Sequence, residues 1–467
     1  MRRLWLGLAI VACWNGGAMA MRWPSYGGTL SFAFRGTTPG AARHFTIASD
    51  AMLFAARFDS LYRVSRDGRV QPNLVEDRGE LDATHNTWTL KLRTGLHWSD
   101  GRPLLARDVV KALRHLPIWI RQPFSAISAP SARTIRLRLR FPVPHRLQLL
   151  AHIAAAIVKP RLNRHHRRSL VGCGMFRMLR KGSDLLLVPN RWYHRGRPYL
   201  NGIKLLQTVT SSTESDRFYL DQIDATLVPS TLYSRKRRPP RETVAPLEAT
   251  IFLLFNTRSS TFGNIDARRA AWASLNLGNL RRFVPYPARV ARTVLPTRYR
   301  SKRQLSQPSM RGRRLEASQP IVLIFDRDRP GHQALAKAVL GDISNGLQVG
   351  EIRFLALDSS EFKRRLDARR GFDIALVETL HLTRSRRVAL AALMHQLTPS
   401  TPLLSTIHNG SLGIDGQLRK WLAAIPFVPL LHLHRTLYHK PSFARVAFRG
   451  DGLLDLFELF LDDTEGR

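Results

Sequence analysis

The tightest groupings of metal-ligating side chains are two histidine pairs, His165-His166 and His432-x-His434. A two-residue step along a strand puts both imidazoles of the second pair on one face. A zinc site needs three or four ligands, and no cysteine or carboxylate stands near enough in sequence to complete either set. Both pairs read as surface or core histidines, and no cofactor is expected. Covalent and phosphoryl chemistry have no better footing: G-x-S-x-G, H-E-x-x-H and G-x-x-x-x-G-K-[ST] are all missing from the chain. What remains are charged side chains at strand ends, each able to pair with a group of opposite sign. Glu378, just after an apolar run, is placed to meet an amine. Arg35, closing the first strand, is placed to meet a carboxylate, with Thr37 two residues on. Trp98, Trp88 and Trp119 are candidates for cleft walls, although each equally fits a core.

The elements that would carry these residues are legible from periodicity. Thr29 to Phe34 alternates as a strand behind a Gly27-Gly28 turn, and Ala51 to Tyr62 has helical spacing. Asp67-Gly68 marks a hairpin turn. Thr87 to Arg93 is a period-2 strand. Leu105 to Leu116 is a helix with Asp108 near its start, where a carboxylate favours the dipole. Thr134 to Phe141 sets Ile135, Leu137 and Leu139 against three arginines, a strand with one wet face. Gly172 to Leu179 and Leu185 to Pro189 form a hairpin, and Gly202 to Val209 another strand. Ile251 to Asn256 is a buried strand ahead of a helix from Asp266 to about Leu277. Val284 to Gln319, rich in Arg, Pro and Ser, is a long irregular excursion.

From Ile321 a new series begins: strand to Phe325, helix Gly331 to Asn345, strand Glu351 to Ala356, helix Ser359 to Arg369, strand Phe372 to Val377. Such alternation indicates a parallel sheet covered by helices. Pro426 to His434 is read as a strand and Leu453 to Leu461 as an apolar helix.

At 467 residues, with 44% of them hydrophobic, the chain is long enough for two or three cored domains. Arg2 and Arg3 precede an apolar run, Leu4 to Ala12, and Ala18-Met19-Ala20 supplies small residues for cleavage. This is a secretory signal. Ile10-Val11-Ala12-Cys13 also matches a lipobox, which would tether the protein through Cys13. With only Cys13 and Cys173 present, no internal disulfide survives removal of the signal. Cys173, between two glycines in an apolar setting, reads as a small buried hydrophobe. The net charge of +39 is scattered along the chain rather than gathered on one arm. It therefore points to attraction toward anionic surfaces more than to nucleic-acid recognition, which is not expected.

One long, ordered run of residues is more specific. Phe58-Asp59-Ser60-Leu61-Tyr62, Gln71-Pro72-Asn73-Leu74, Trp88-Thr89-Leu90-Lys91-Leu92-Arg93, Gly95-Leu96-His97-Trp98-Ser99-Asp100-Gly101-Arg102-Pro103-Leu104 and Ala106-Arg107-Asp108-Val109-Val110 together resemble the bacterial extracellular solute-binding proteins of family 5, the oligopeptide-, dipeptide- and nickel-binding components of ABC importers. Gly172-Cys173-Gly174-Met175-Phe176, the segment Asn190 to Leu200, Asp221 to Ala225, and Phe255-Asn256 with Arg268 continue the likeness. The resemblance implies an α/β, type II periplasmic-binding fold, in which two lobes close on a hinge around a solute and an extra subdomain is inserted in the first lobe. It implies a signal at 1–20, lobe I from 21–48, 167–250 and 427–467, an insertion at 49–166, and lobe II at 251–426.

The implied function is capture without catalysis of a short peptide or similar solute, by an exported monomer that delivers it to an ABC permease. An importer-independent binding or sensing module, or a basic polyanion-binding surface protein, are the alternatives. Two departures bear on the ligand: Arg35-Gly36-Thr37-Thr38-Pro39 replaces an early Leu-Asp-Pro, and Asp373 to Thr379 replaces the W-x-x-D-Y-x-D-P stretch.

Overall fold

The structure is a computed structural model. It describes residues 24–35, 48–84, 86–162, 168–181, 184–236, 239–299, 304–309, 315–317, 320–349, 351–398, 407 and 414–461. The signal at 1–20 with Cys13, the Arg311 to Arg314 cluster and His165-His166 lie outside the described residues. Among the described residues no helix is long and apolar enough to cross a membrane.

Eleven strands form the central sheet. In chain order they are β1 (Thr29–Arg35), β2 (Phe176–Lys181), β3 (Asp184–Pro189), β4 (Gly202–Thr208), β5 (Ala225–Thr226), β6 (Arg241–Phe255), β7 (Ala288–Val290), β8 (Ile321–Asp326), β9 (Ile352–Leu357), β10 (Ile374–His381) and β11 (Phe427–His439). The spatial order is β2-β3-β4-β1-β5-β11-β6-β10-β8-β9, with β7 also paired to β11. β1 runs parallel to β4 and β5 in the first lobe, and β8 runs parallel to β9 and β10 in the second. The two longest strands, β6 and β11, pair antiparallel along most of their length and bridge the lobes. Their ladder shifts register between Ala245 and Glu248, a local bend where the strands pass from one lobe to the other.

The expected Ile251 to Asn256 strand is thus the last third of a much longer element. Its alternation is plain only there. Ile251, Leu253 and Phe255 pack into one apolar layer and Phe252 and Leu254 into another, so the second lobe's sheet is covered on both faces. Each such side chain contributes roughly 1.5–3 kcal/mol on burial.

The inserted segment has its own antiparallel sheet, in the order Glu80–Leu81, Thr87–Lys91, Thr134–Leu139, Phe124–Ser128. Ile135, Leu137 and Leu139 point inward while Arg136 and Arg138 face solvent, as their spacing requires. Gly68 adopts a left-handed φ of +85° in the hairpin between Tyr62–Val64 and Val70–Pro72. The insertion's apolar cluster continues into the near face of the second lobe, where helix Ile118–Arg121 meets helix Arg386–Leu397.

Two expectations require correction. The Ala51 to Tyr62 helix spans Ala48–Arg57, and Tyr62 instead opens a short strand. Leu453 to Leu461 is not a helix. Five of its apolar side chains, Leu453, Leu454, Leu456, Leu459 and Phe460, are buried, in an irregular stretch that ends in the strand Phe460–Leu461. Backbone bonds from Arg449 N to Leu453 O and from Asp455 N to Ala447 O hold it against the preceding loop. A segment apolar on nearly every side can pack without adopting one amphipathic face.

Candidate functional site

Strand direction locates a crevice. β6 leads from the first lobe into the second, and β10, antiparallel to it, points back toward the first lobe together with its parallel neighbours β8 and β9. β11 leads into the first lobe, so β5, antiparallel to β11, and β1, parallel to β5, point toward the second. The carboxyl ends of both parallel sets therefore converge on the interlobe junction. That is where open α/β sheets bind ligands, because the strands stop there while the loops diverge.

On the second lobe's side a cavity of about 380 Å³ lies at those ends. β8 pairs with β10 only as far as Phe325 and Leu376, which leaves Val377 and Glu378 uncovered on that edge. Asp326 closes β8, Ser359 opens the helix after β9, and His332 opens the helix after β8. Phe362, Leu366, Leu376 and Val377 supply an apolar floor.

The charged groups at the cavity are paired among themselves. Arg435 donates from Nη2 to Glu378 Oε1 and stacks 3.6 Å from the ring centre of Tyr286. Arg329 Nε donates to Asp326 Oδ2 at 3.3 Å, and its Nη1 lies 3.7 Å from Glu378 Oε1. Ser359 Oγ donates to the same Asp326 oxygen at 2.8 Å. Lys363 pairs with Asp367 at the exposed margin. Burial alone would raise the pKa of Glu378, but Arg435, His332 and Arg329 outweigh it and hold the carboxyl well below the usual carboxylate range.

A second polar group threads the junction between lobes. Thr250 Oγ1 sits 2.8 Å from His381 Nε2 and 2.9 Å from His432 Nδ1, and Thr293 Oγ1 lies 3.3 Å from His432 Nε2. Burial, then the neighbouring Arg298 charge, lowers the His381 pKa well below its ordinary value. Burial, then His434, lowers that of His432 to about 4. These histidines tie β6, β10 and β11 together.

Residues 69–297 match the family described as bacterial extracellular solute-binding proteins, family 5 Middle. This match, over just under half of the chain, and the relatives that follow support family 5 of the bacterial extracellular solute-binding proteins. The oligopeptide-binding protein OppA of Bacillus subtilis is 20% identical over 278 residues, 50% of this chain and 50% of that protein. The probable D,D-dipeptide-binding periplasmic protein DdpA of Escherichia coli is 25% identical over 210 residues, 40% of each. The chain thus spans half or less of the length of the curated relatives it matches. A dipeptide-binding protein of Pseudoalteromonas sp. SM9913, solved in complex with Met-Leu, superposes with a TM-score of 0.75 at 15% identity, covering 92% of this chain and all of that one. The fold is the two-lobed type II periplasmic-binding fold.

Within this fold the sequence-derived candidates separate. Glu378 lines the cavity, already engaged by Arg435. Arg35 closes β1, in register with Thr208, and Thr37 lies outside the described residues. Trp98 is 1% exposed and belongs to the insertion's core, with Lys159 5.4 Å from its ring centre; it lines no cavity described here. Trp88 stacks on Tyr62 and Trp119 packs edge-on to His152, both as core residues. His434, half-buried, stands 3.9 Å from Glu248, while His432 contacts Thr250 and Thr293, and no metal-holding cluster occurs among the described residues. Cys173 is buried. Asp326, Arg329, His332 and Arg435 were not singled out from sequence. Asp326-Arg327-Asp328-Arg329 directly after an apolar strand was an available signal for the first two, whereas Arg435 is one of 73 basic residues.

Proposed function

We propose that this solute-binding protein captures a short peptide or similar small solute outside the cytoplasm and hands it to an ABC permease, making and breaking no bond. The cavity at the converging strand ends carries this reading. Its volume of about 380 Å³ lies in the range of ~300–1,000 Å³ typical of small-molecule sites, and it combines an apolar floor with a few oriented polar groups. The Met-Leu complex of the Pseudoalteromonas protein supports a peptide-sized cargo.

In this reading the first twenty residues direct export, and Cys13 offers an alternative lipid anchor. Lobe I comprises 21–48, 167–250 and 427–467, the insertion 49–166, and lobe II 251–426. Arg35 and Thr37 reach the ligand from the first lobe and Glu378 from the second, and the protein acts as a monomer. Closure of lobes around a solute gives the permease a ligand-dependent surface to recognise. Native mass spectrometry of the purified mature protein tests this. A ladder of co-purifying peptides or one small solute is expected. A protein that neither carries nor binds any di- to pentapeptide in a thermal-shift screen would remove the peptide assignment.

A further inference from the structure

Three carboxylates, one guanidinium and one ammonium line the cavity beside His332 and His395, and a second guanidinium, Arg435, stands behind it. Asp326 is matched by Arg329, Asp367 by Lys363 and Glu378 by Arg435. Counted this way the wall carries no net charge, and no carboxylate or guanidinium in it stands without an opposite partner. Yet the wall is not satisfied. Glu378, 4% exposed, leaves Oε2 without a hydrogen bond, and His332, 1% exposed, leaves both ring nitrogens without one among the described residues. Glu378 Oε2 and His332 Nε2 lie 3.5 Å apart, so a single inserted group can reach both.

An ammonium buried here would meet a carboxylate whose charge Arg435 already cancels, and a ligand carboxylate would meet guanidiniums already held by Asp326 and Glu378. Either would bring an uncompensated charge out of water, which costs several kcal/mol per ion even after relaxation. A neutral donor meets no such cost, and its hydrogen bonds relieve buried groups that are otherwise unpaired.

We propose that the ligand group seated in this cavity is uncharged, an amide-type donor that hydrogen-bonds Glu378 Oε2 and the His332 ring while its apolar part lies on Phe362 and Leu366. This rests on the import-receptor reading and narrows it to solutes whose inserted end is blocked. Calorimetric titration of the full exported protein at neutral pH with Leu-Leu and with N-acetyl-Leu-Leu-amide tests it. The blocked peptide is expected to bind at least tenfold more tightly, and Leu366→Trp, which fills the floor, to abolish that binding. Equal affinities, or tighter binding of the free dipeptide, overturn the inference and leave the receptor reading standing. Full affinity in Leu366→Trp places the ligand elsewhere and also overturns it. No binding of either probe at millimolar concentration removes the peptide reading, and the inference with it.

Discussion

Replacing Arg435 with Met keeps most of the side-chain volume and removes the nearer of the two guanidiniums that face Glu378. The carboxylate then sits 4% exposed with Arg329, 3.7 Å away and shared with Asp326, as its remaining cationic neighbour. Breaking a buried ion pair from one side costs about 3–5 kcal/mol. Loss of the stack on Tyr286 adds roughly 0.5–2 kcal/mol, and the apolar replacement returns part of it. At ~2–4 °C per kcal/mol for domains of 150–250 residues, the melting temperature of the second lobe should fall by roughly 6–20 °C at pH 7.

The pH dependence fixes the cause. In the wild type the folded-state pKa of Glu378 is depressed, so its contribution is present above the unfolded value of ~4.3 and is lost as pH falls below it. Without Arg435 the burial effect dominates and the folded pKa rises above the unfolded one. The variant then binds a proton that the unfolded chain does not, and its deficit shrinks as the pH is lowered from 7 toward 5. Adding Glu378→Gln should recover most of the loss, because the buried charge is gone. Urea unfolding and scanning calorimetry of wild type, both single variants and the double at pH 7 and pH 5 give the full cycle. An Arg435→Met deficit under about 1 kcal/mol, or one that does not change with pH, would refute a desolvated pair at this position.

Three further outcomes are expected. Gly174→Ala should be severely destabilised, since an added Cβ would lie 2.5–2.7 Å from backbone atoms of Arg57 and Phe58, with overpacking of this kind costing ~1–3 kcal/mol or more; a normal thermal melt would contradict that packing. Cys173, whose thiol pKa burial pushes up, should ignore an aromatic disulfide reagent until the protein unfolds, so rapid labelling of the native state would count against it. Burial lowers the pKa of His152 to about 3, of His432 to about 4 and of His381 well below its ordinary value. The unfolded chain therefore binds more protons below ~6.5, and stability should fall as pH drops from 6.5 to 4.5. Asp59, raised to about 6 by burial, and Asp451, also raised by burial, oppose this, while His194 and His439, lowered by burial, add to it; a melting temperature that climbs through that acid range would show the histidines to be solvated.

Local pattern alone was sufficient for most elements and for the family. Apolar residues two apart, as at Ile135, Leu137 and Leu139, report a one-faced strand, because successive side chains in a strand point to opposite sides. The strand–helix alternation from Ile321 to Val377 announced the parallel half-sheet that the structure contains. The cross-lobe strands were read short. β6 and β11 change surroundings midway, so Arg241-Glu242 and His432-x-His434 interrupt the alternation although the backbone ladder continues. The apolar end of the chain misled for a related reason: its leucines pack in several directions, and composition carries no direction. Glu378 was legible as a carboxylate following an apolar run, although β10 continues past it to His381, and its surroundings were not legible. Arg435 is 57 residues away in the chain and on the far side of β6 in the sheet order, and only tertiary packing brings it against Glu378. Whether a buried carboxylate attracts a cation or is already spent depends on neighbours in space, and a chain carrying 73 basic side chains gives no sign of which one that neighbour is.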